Sequence, residues 1–153
     1  MPIERPVGYS LEAMQIRTQN GKQYVLCAWR RRYVRLTPEE HVRQTILHAL
    51  EINYGYPHGL IGVEVPIEVA GLKKRCDAIV YNQQMQPLML IEFKAECVPL
   101  TQQVFDQTAI YNRRLKVPFL MLSNGRDTII AEVLDNEYRF LDQIVSYNTL
   151  SII

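Results

Sequence analysis

The chain has 153 residues, 48% of them hydrophobic and 22% charged, a size and mix that fit one globular domain. Such a chain can bury around 70% of its unfolded surface, and its composition excludes a disordered tail, a coiled coil and a collagen-like fibre. Seventeen Lys and Arg against 16 Asp and Glu leave a formal net charge of +1, so bulk charge would not hold nucleic acid and any contact must come from local clusters. The candidates are Arg30-Arg31-Arg32 with Arg35, and Lys73-Lys74-Arg75; solvated strand ends are the plain alternative for both. The longest apolar stretch, around Leu88–Ile91, is far short of the roughly 20 residues a bilayer needs, so no membrane partner is expected. No basic start followed by an apolar run opens the chain, so no secretory signal is expected either. Cys27, Cys76 and Cys97 are an odd count without metal-type spacing, which predicts free thiols in a reducing cytoplasm.

Taken in chain order, Met14–Thr18 and Lys22–Trp29 flank Gln19-Asn20-Gly21, and Asn-Gly between strand-like runs predicts a hairpin. Tyr33–Leu36 leads to Thr37-Pro38-Glu39-Glu40, where Thr37 can cap a helix and Pro38 can occupy its first turn. Val42, Ile46, Leu47 and Leu50 continue at helical spacing to about Tyr54-Gly55. Strand-like runs follow at Ile61–Val69, Arg75–Tyr81 and Pro87–Lys94, punctuated by Gly71 and Asn82-Gln83-Gln84, and predict an antiparallel meander. Thr101 opens a second helix that Pro118 stops; Phe119–Leu122 reads as a buried strand, and Asn124-Gly125 turns into Thr128–Leu134. Leu141, Ile144 and Val145 fit a last helix. The fold class is therefore α/β, α and β mixed, with helices on both sides of a central sheet. The predicted organisation is one domain: residues 1–36 as an N-terminal hairpin extension, 37–134 as the core and 135–153 as a C-terminal segment.

The informative constellation is Asp77 with Glu92-Phe93-Lys94. Side chains alternate along a strand, so Glu92 and Lys94 share a face and Phe93 enters the opposite layer. If the Asp77 strand pairs antiparallel with the Glu92 strand, two carboxylates and an ammonium converge. Two carboxylates offer hard oxygen ligands to Mg²⁺, which stabilises charge on a phosphoryl oxygen and acidifies a bound water. A lysine beside that water can orient it for attack on phosphorus. Each residue also has a plain structural account, as a strand-end Asp or a surface Glu-x-Lys pair, and D…ExK alone is a weak pattern. Glu40 adds either a third carboxylate beside the sheet or the second half of a capping box with Thr37. Gln107 and Tyr111 are four apart on one helical face, and both side chains can donate to a phosphate.

The ordered set Thr37-Pro-Glu-Glu-His-Val-Arg-Gln44, Arg75-x-Asp77, Ile91-Glu-Phe-Lys-Ala95, Gln107-x-x-x-Tyr111 and Ser123-Asn-Gly125 resembles the N-terminal nuclease domain of type I restriction enzyme R subunits. That domain belongs to the PD-(D/E)xK nuclease superfamily. The resemblance spans about Tyr33 to Asp127 and implies a restriction-endonuclease-like mixed sheet flanked by helices. It further implies that Asp77 and Glu92 bind Mg²⁺, for which Mn²⁺ can substitute, with Glu40 supporting the metal from its helix and Lys94 serving the attacking water. Gln107 and Tyr111 match the family's Q-x-x-x-Y element, associated with DNA handling; Lys73, Lys74 and Arg75 join them as DNA-contact candidates. Cys76 stands where the superfamily name has Pro, and His41 where relatives commonly carry an aromatic residue.

The chain has no GxxxxGK[ST] loop, so no nucleotide cofactor and no ATP-driven translocation are expected. The reading is a stand-alone Mg²⁺-dependent nuclease acting on DNA. A domain of this length has a radius of gyration of about 15 Å, and one site reaches one strand, so cutting both strands calls for a homodimer or a partner subunit. The rival reading is a non-catalytic module that keeps the nuclease fold to hold DNA or a partner.

Overall fold

The computed structural model describes residues 14–135 and 137–152; the part of the expected N-terminal extension before residue 14 lies outside the described residues. Three strands, β1 (Ile16–Gln19), β2 (Lys22–Cys27) and β3 (Arg32–Arg35), form an antiparallel sheet of their own. Asn20 and Gly21 turn β1 into β2 with φ of 53° and 75°, the left-handed pair that a two-residue hairpin demands and Asn-Gly supplies. Val25, Cys27 and Val34 bury one face with Met14.

Helix α1 (Pro38–Tyr54) starts and stops where the sequence predicts. Thr37 Oγ1 accepts the Glu40 N–H at 3.1 Å, and Gly55, at φ 70°, closes the helix by donating to the Leu50 carbonyl, the usual exit through a left-handed glycine. A single 3-10 turn, His58–Leu60, then leads into the main sheet. Its strands are β4 (Ile61–Val69), β5 (Leu72–Tyr81), β6 (Pro87–Phe93), β7 (Phe119–Ser123), β8 (Thr128–Val133) and β9 (Tyr138–Phe140), in that spatial order. β4, β5 and β6 form the expected antiparallel meander. Only β6 and β7 run parallel, and helix α2 (Gln102–Leu115) is the crossover between them, as a parallel pair requires.

Alternation along β6 and β7 sorts the core into two layers. Met89, Ile91, Phe93, Phe119 and Met121 meet Val42, Ile46, Leu47 and Leu50 of α1 on one face. Leu90, Leu120 and Leu122 meet Phe105 and Ala109 of α2 on the other. Phe93 thus enters the α1 layer, as predicted, and sends Glu92 to the α2 side.

The C-terminal expectation needs correction. Leu141, Ile144 and Val145 form no helix; they lie in an irregular connection, and the helix there is α3 (Tyr147–Ile152). The Leu141 N–H donates to the Ile130 carbonyl at 2.9 Å, and the Val145 carbonyl accepts from the Tyr56 hydroxyl at 3.1 Å. Tertiary partners therefore satisfy this backbone, and three apolar residues are too few to nucleate a helix against them. Strand β9 was not foreseen either, since three half-exposed residues show no alternation worth reading.

Candidate active site

The β5–β6 ladder runs through Val80↔Met89, Ile79↔Leu90 and Ala78↔Ile91. One step further Asp77 would face Glu92, and there the ladder opens. The Phe93 N–H donates to the Asp77 carboxylate (Oδ2) at 2.8 Å, while the Asp77 carbonyl accepts from Arg43 Nη1 at 3.2 Å. Lys94 has already turned to β7, donating its N–H to the Ser123 carbonyl at 2.9 Å. The fork pins the Asp77 carboxylate between two diverging strands.

Glu92 is 8% exposed on a strand whose other interior residues are apolar. Burial, then the charge of Asp77, push its carboxyl up to about 7 against the opposing pull of Lys74. Lys74 Nζ lies 2.8 Å from Glu92 Oε1, yet that buried oxygen has no aligned hydrogen-bond donor. The thiol of neighbouring Cys76 is pushed up to about 11 by burial and then by the Glu92 charge, so it stays protonated. A carboxyl raised in the folded state binds a proton that the unfolded chain has released, so its contribution to stability is lost as pH rises from about 4.5 through about 7. We expect this group to make unfolding free energy fall by up to about 3 kcal/mol across that window, at 1.36 kcal/mol per pH unit. Glu92→Gln should lack that slope in urea denaturation run at several pH values; parallel curves for variant and wild type would contradict the assignment.

Glu40 is buried and its oxygens are taken. Arg43 donates to both (Nη2 to Oε1 at 2.6 Å, Nε to Oε2 at 3.3 Å), Arg30 donates to Oε2 at 2.6 Å and Gln44 at 2.9 Å. Burial alone would raise this carboxyl, but the bonds from Arg43, Arg30 and Gln44 outweigh it and hold it low. The capping box is half formed: Thr37 caps, while the Glu40 side chain turns inward. Arg43 Nη1 also donates to Glu64 at 2.8 Å, so one guanidinium ties α1 to β4 and to the Asp77 carbonyl. Arg30 also donates through Nε to the Cys27 thiol at 3.3 Å, linking the small sheet to the network.

Sequence reasoning missed Glu64. It lies opposite Asp77, between Val63↔Ala78 and Val65↔Cys76, at an unpaired step of a ladder whose register does not shift, and its φ is 56°. Both strands change face across this step: Val63 and Ala78 pack on the α1 layer, Val65 and Cys76 on the α2 layer. Glu64, Asp77, Glu40, Arg43 and Phe93 share one polar pocket of about 280 Å³. In sequence it was one of two glutamates, with Glu68, in the Ile61–Val69 run.

The basic cluster lies past this step. Beyond it, β4 and β5 continue as a two-stranded ribbon, with Ile67↔Lys74 on one face and Pro66↔Arg75 and Glu68↔Lys73 on the other. Lys73 and Arg75 are exposed, whereas Lys74 turns inward to Glu92 and lies 4.6 Å from the centre of the Tyr111 ring. Gln107 and Tyr111 are exposed on α2, with Tyr111 next to the site through Lys74. Lys94 is partly exposed, and among the described residues no carboxylate pairs with it.

Among the described residues no three His, Cys, Asp or Glu side chains gather as a ready-made metal cage. The donor set suits a hard, water-keeping cation all the same: two carboxylates, one pinned and one buried with an oxygen lacking an aligned donor. Glu40, wrapped by two arginines, is not free to join them as a ligand in this arrangement.

A mixed sheet between two helical layers, with carboxylates at a forked strand end, defines a restriction-endonuclease-like α/β domain. The family described as "Type I restriction enzyme R protein N terminus" matches residues 38–145, and the chain belongs to that family. No curated protein sequence matches it. A solved fragment of a protein described as the HsdR subunit of a type I restriction enzyme from Vibrio vulnificus YJ016 is similar in fold, at a TM-score of 0.56 and 18% identity; the match covers 75% of this chain and 24% of that one. Among the described residues no helix is long and apolar enough to cross a membrane.

Proposed function

We propose that the protein is a metal-dependent nuclease that hydrolyses phosphodiester bonds in DNA. The observation that carries this is the fork at which Asp77 is pinned beside the buried, incompletely partnered Glu92. Asp77 and Glu92 would hold Mg²⁺, or Mn²⁺ in its place. When bound, the ion supplies stabilisation of charge on a phosphoryl oxygen and a more acidic water. Lys94, two residues from Glu92, would orient that water. Glu40 acts through Arg43: it holds the guanidinium that fixes the Asp77 carbonyl. Lys73, Arg75, Gln107 and Tyr111 contact DNA phosphates around the site, with local cations replacing the bulk charge the chain lacks. Membership in a restriction-enzyme family points to a restriction-modification complex as the setting, and free cysteines fit the cytoplasm.

The rival, a DNA- or partner-binding module, draws on one observation: Glu40 is engaged by arginines and no three-ligand cage is assembled among the described residues. Supercoiled plasmid separates the two. The nuclease converts it to open circles in Mg²⁺ and not in chelator, because one site reaches one strand. Plasmid left intact in Mg²⁺ and Mn²⁺, with DNA binding unchanged by chelator, would establish the module instead.

A further inference from the structure

One lysine, Lys74, touches the carboxylate pair in space, and another, Lys94, follows it in sequence. Lys94, at the motif position, has no carboxylate partner among the described residues. Lys74, outside any D…ExK pattern, has its ammonium 2.8 Å from Glu92 Oε1 and 4.6 Å from the centre of the Tyr111 ring. Its side chain is only 18% exposed, so the ammonium has given up much of its water to sit there. The placement follows from strand alternation, which puts Ile67↔Lys74 on the same face as Val65↔Cys76, the face that meets the α2 layer. Two carboxylates side by side need a positive charge between refills of the site, and the ring face of Tyr111 gives the ammonium a second attractive surface.

We propose that Lys74 is the resident counter-cation of the Asp77–Glu92 pair: it occupies the Glu92 oxygen in the metal-free protein, yields it when a divalent ion is bound, and then serves as a phosphate contact steadied by Tyr111. The inference rests on the nuclease reading for the ion, but the Lys74–Glu92–Tyr111 contact does not. Lys74 is thus a positioning residue whose charge counts toward DNA only in the metal-loaded state. Lys73 and Arg75, on the opposite face of the ribbon, are available to DNA in both states.

The test uses the whole chain, with folding of each variant checked by thermal melting. Mn²⁺ affinity is measured by calorimetry at pH 8.5 without DNA on wild type, Lys74→Met and Lys94→Met. Lys74→Met is expected to bind Mn²⁺ several-fold more tightly, because no ammonium must leave, while Lys94→Met is expected to match wild type. In parallel, amine acylation mapped by mass spectrometry should show Lys74 protected in chelator and several-fold faster on Mn²⁺ addition, with Lys73 unchanged. Tyr111→Leu should speed Lys74 labelling without metal, and Tyr111→Phe should not. Duplex DNA binding should differ between wild type and Lys74→Met in Ca²⁺ but not in chelator. Equal Mn²⁺ affinity in wild type and Lys74→Met with unchanged labelling would overturn this proposal and leave the nuclease reading intact. Absence of Mn²⁺ binding in both forms would overturn the two together.

Discussion

Arg43→Met is expected to destabilise the protein by about 3–5 kcal/mol, the cost of removing one partner from a buried ion pair. Arg43 is 8% exposed and serves three acceptors on three elements: Glu40 of α1, Glu64 of β4 and the Asp77 carbonyl on β5. Its removal leaves Glu40 buried with Arg30 and Gln44 alone, and leaves Glu64 in a left-handed conformation without its short contact. Neutralising both sides is milder than breaking the pair, so Arg43→Met/Glu40→Leu should lose less than Arg43→Met. Urea denaturation reads both. A loss below about 1 kcal/mol for Arg43→Met would mean that the network is worth no more than a surface pair.

Asp77→Asn is expected to lower metal-dependent cleavage by about 10²–10³-fold while leaving the fold intact. Asparagine keeps an oxygen that can accept the Phe93 N–H, so the fork survives and only the ligand charge is lost. Losing several kcal/mol of charge stabilisation corresponds to that factor at 1.36 kcal/mol per tenfold. Single-turnover cleavage of labelled duplex, beside a urea melt of the same preparation, separates chemistry from folding. Cleavage within threefold of wild type would remove Asp77 from the mechanism.

How much of this was legible depends on how local the signal was. The ends of α1 could be read because Thr37, Pro38 and Gly55 each act on their own backbone within a turn. The meander and the approach of Asp77 to Glu92 followed from strand alternation and two turns. Glu40 could not be resolved, because the choice between capping box and site depends on Arg30 and Arg43, and Arg30 arrives from the turn between β2 and β3. Glu64 was not singled out because the break in β4–β5 pairing opposite Asp77 and its left-handed φ leave no residue pattern. Lys74 read as one of three equivalent basic residues, yet alternation along β5 puts it on the face opposite Lys73 and Arg75, where it meets Glu92. The C-terminal segment misled because Leu141, Ile144 and Val145 are spaced like a helix, while their backbone is held by β8 and Tyr56.

The central claim is that Asp77 and Glu92 together bind the ion that cuts DNA. A Mn²⁺ titration followed by electron paramagnetic resonance, with plasmid cleavage scored in the same samples, compares wild type with Asp77→Asn/Glu92→Gln. Wild type is expected to bind the ion and nick the plasmid, and the double variant to do neither while melting as a folded protein. Cleavage persisting in the double variant, or wild type binding no Mn²⁺ at millimolar concentration, would contradict the account.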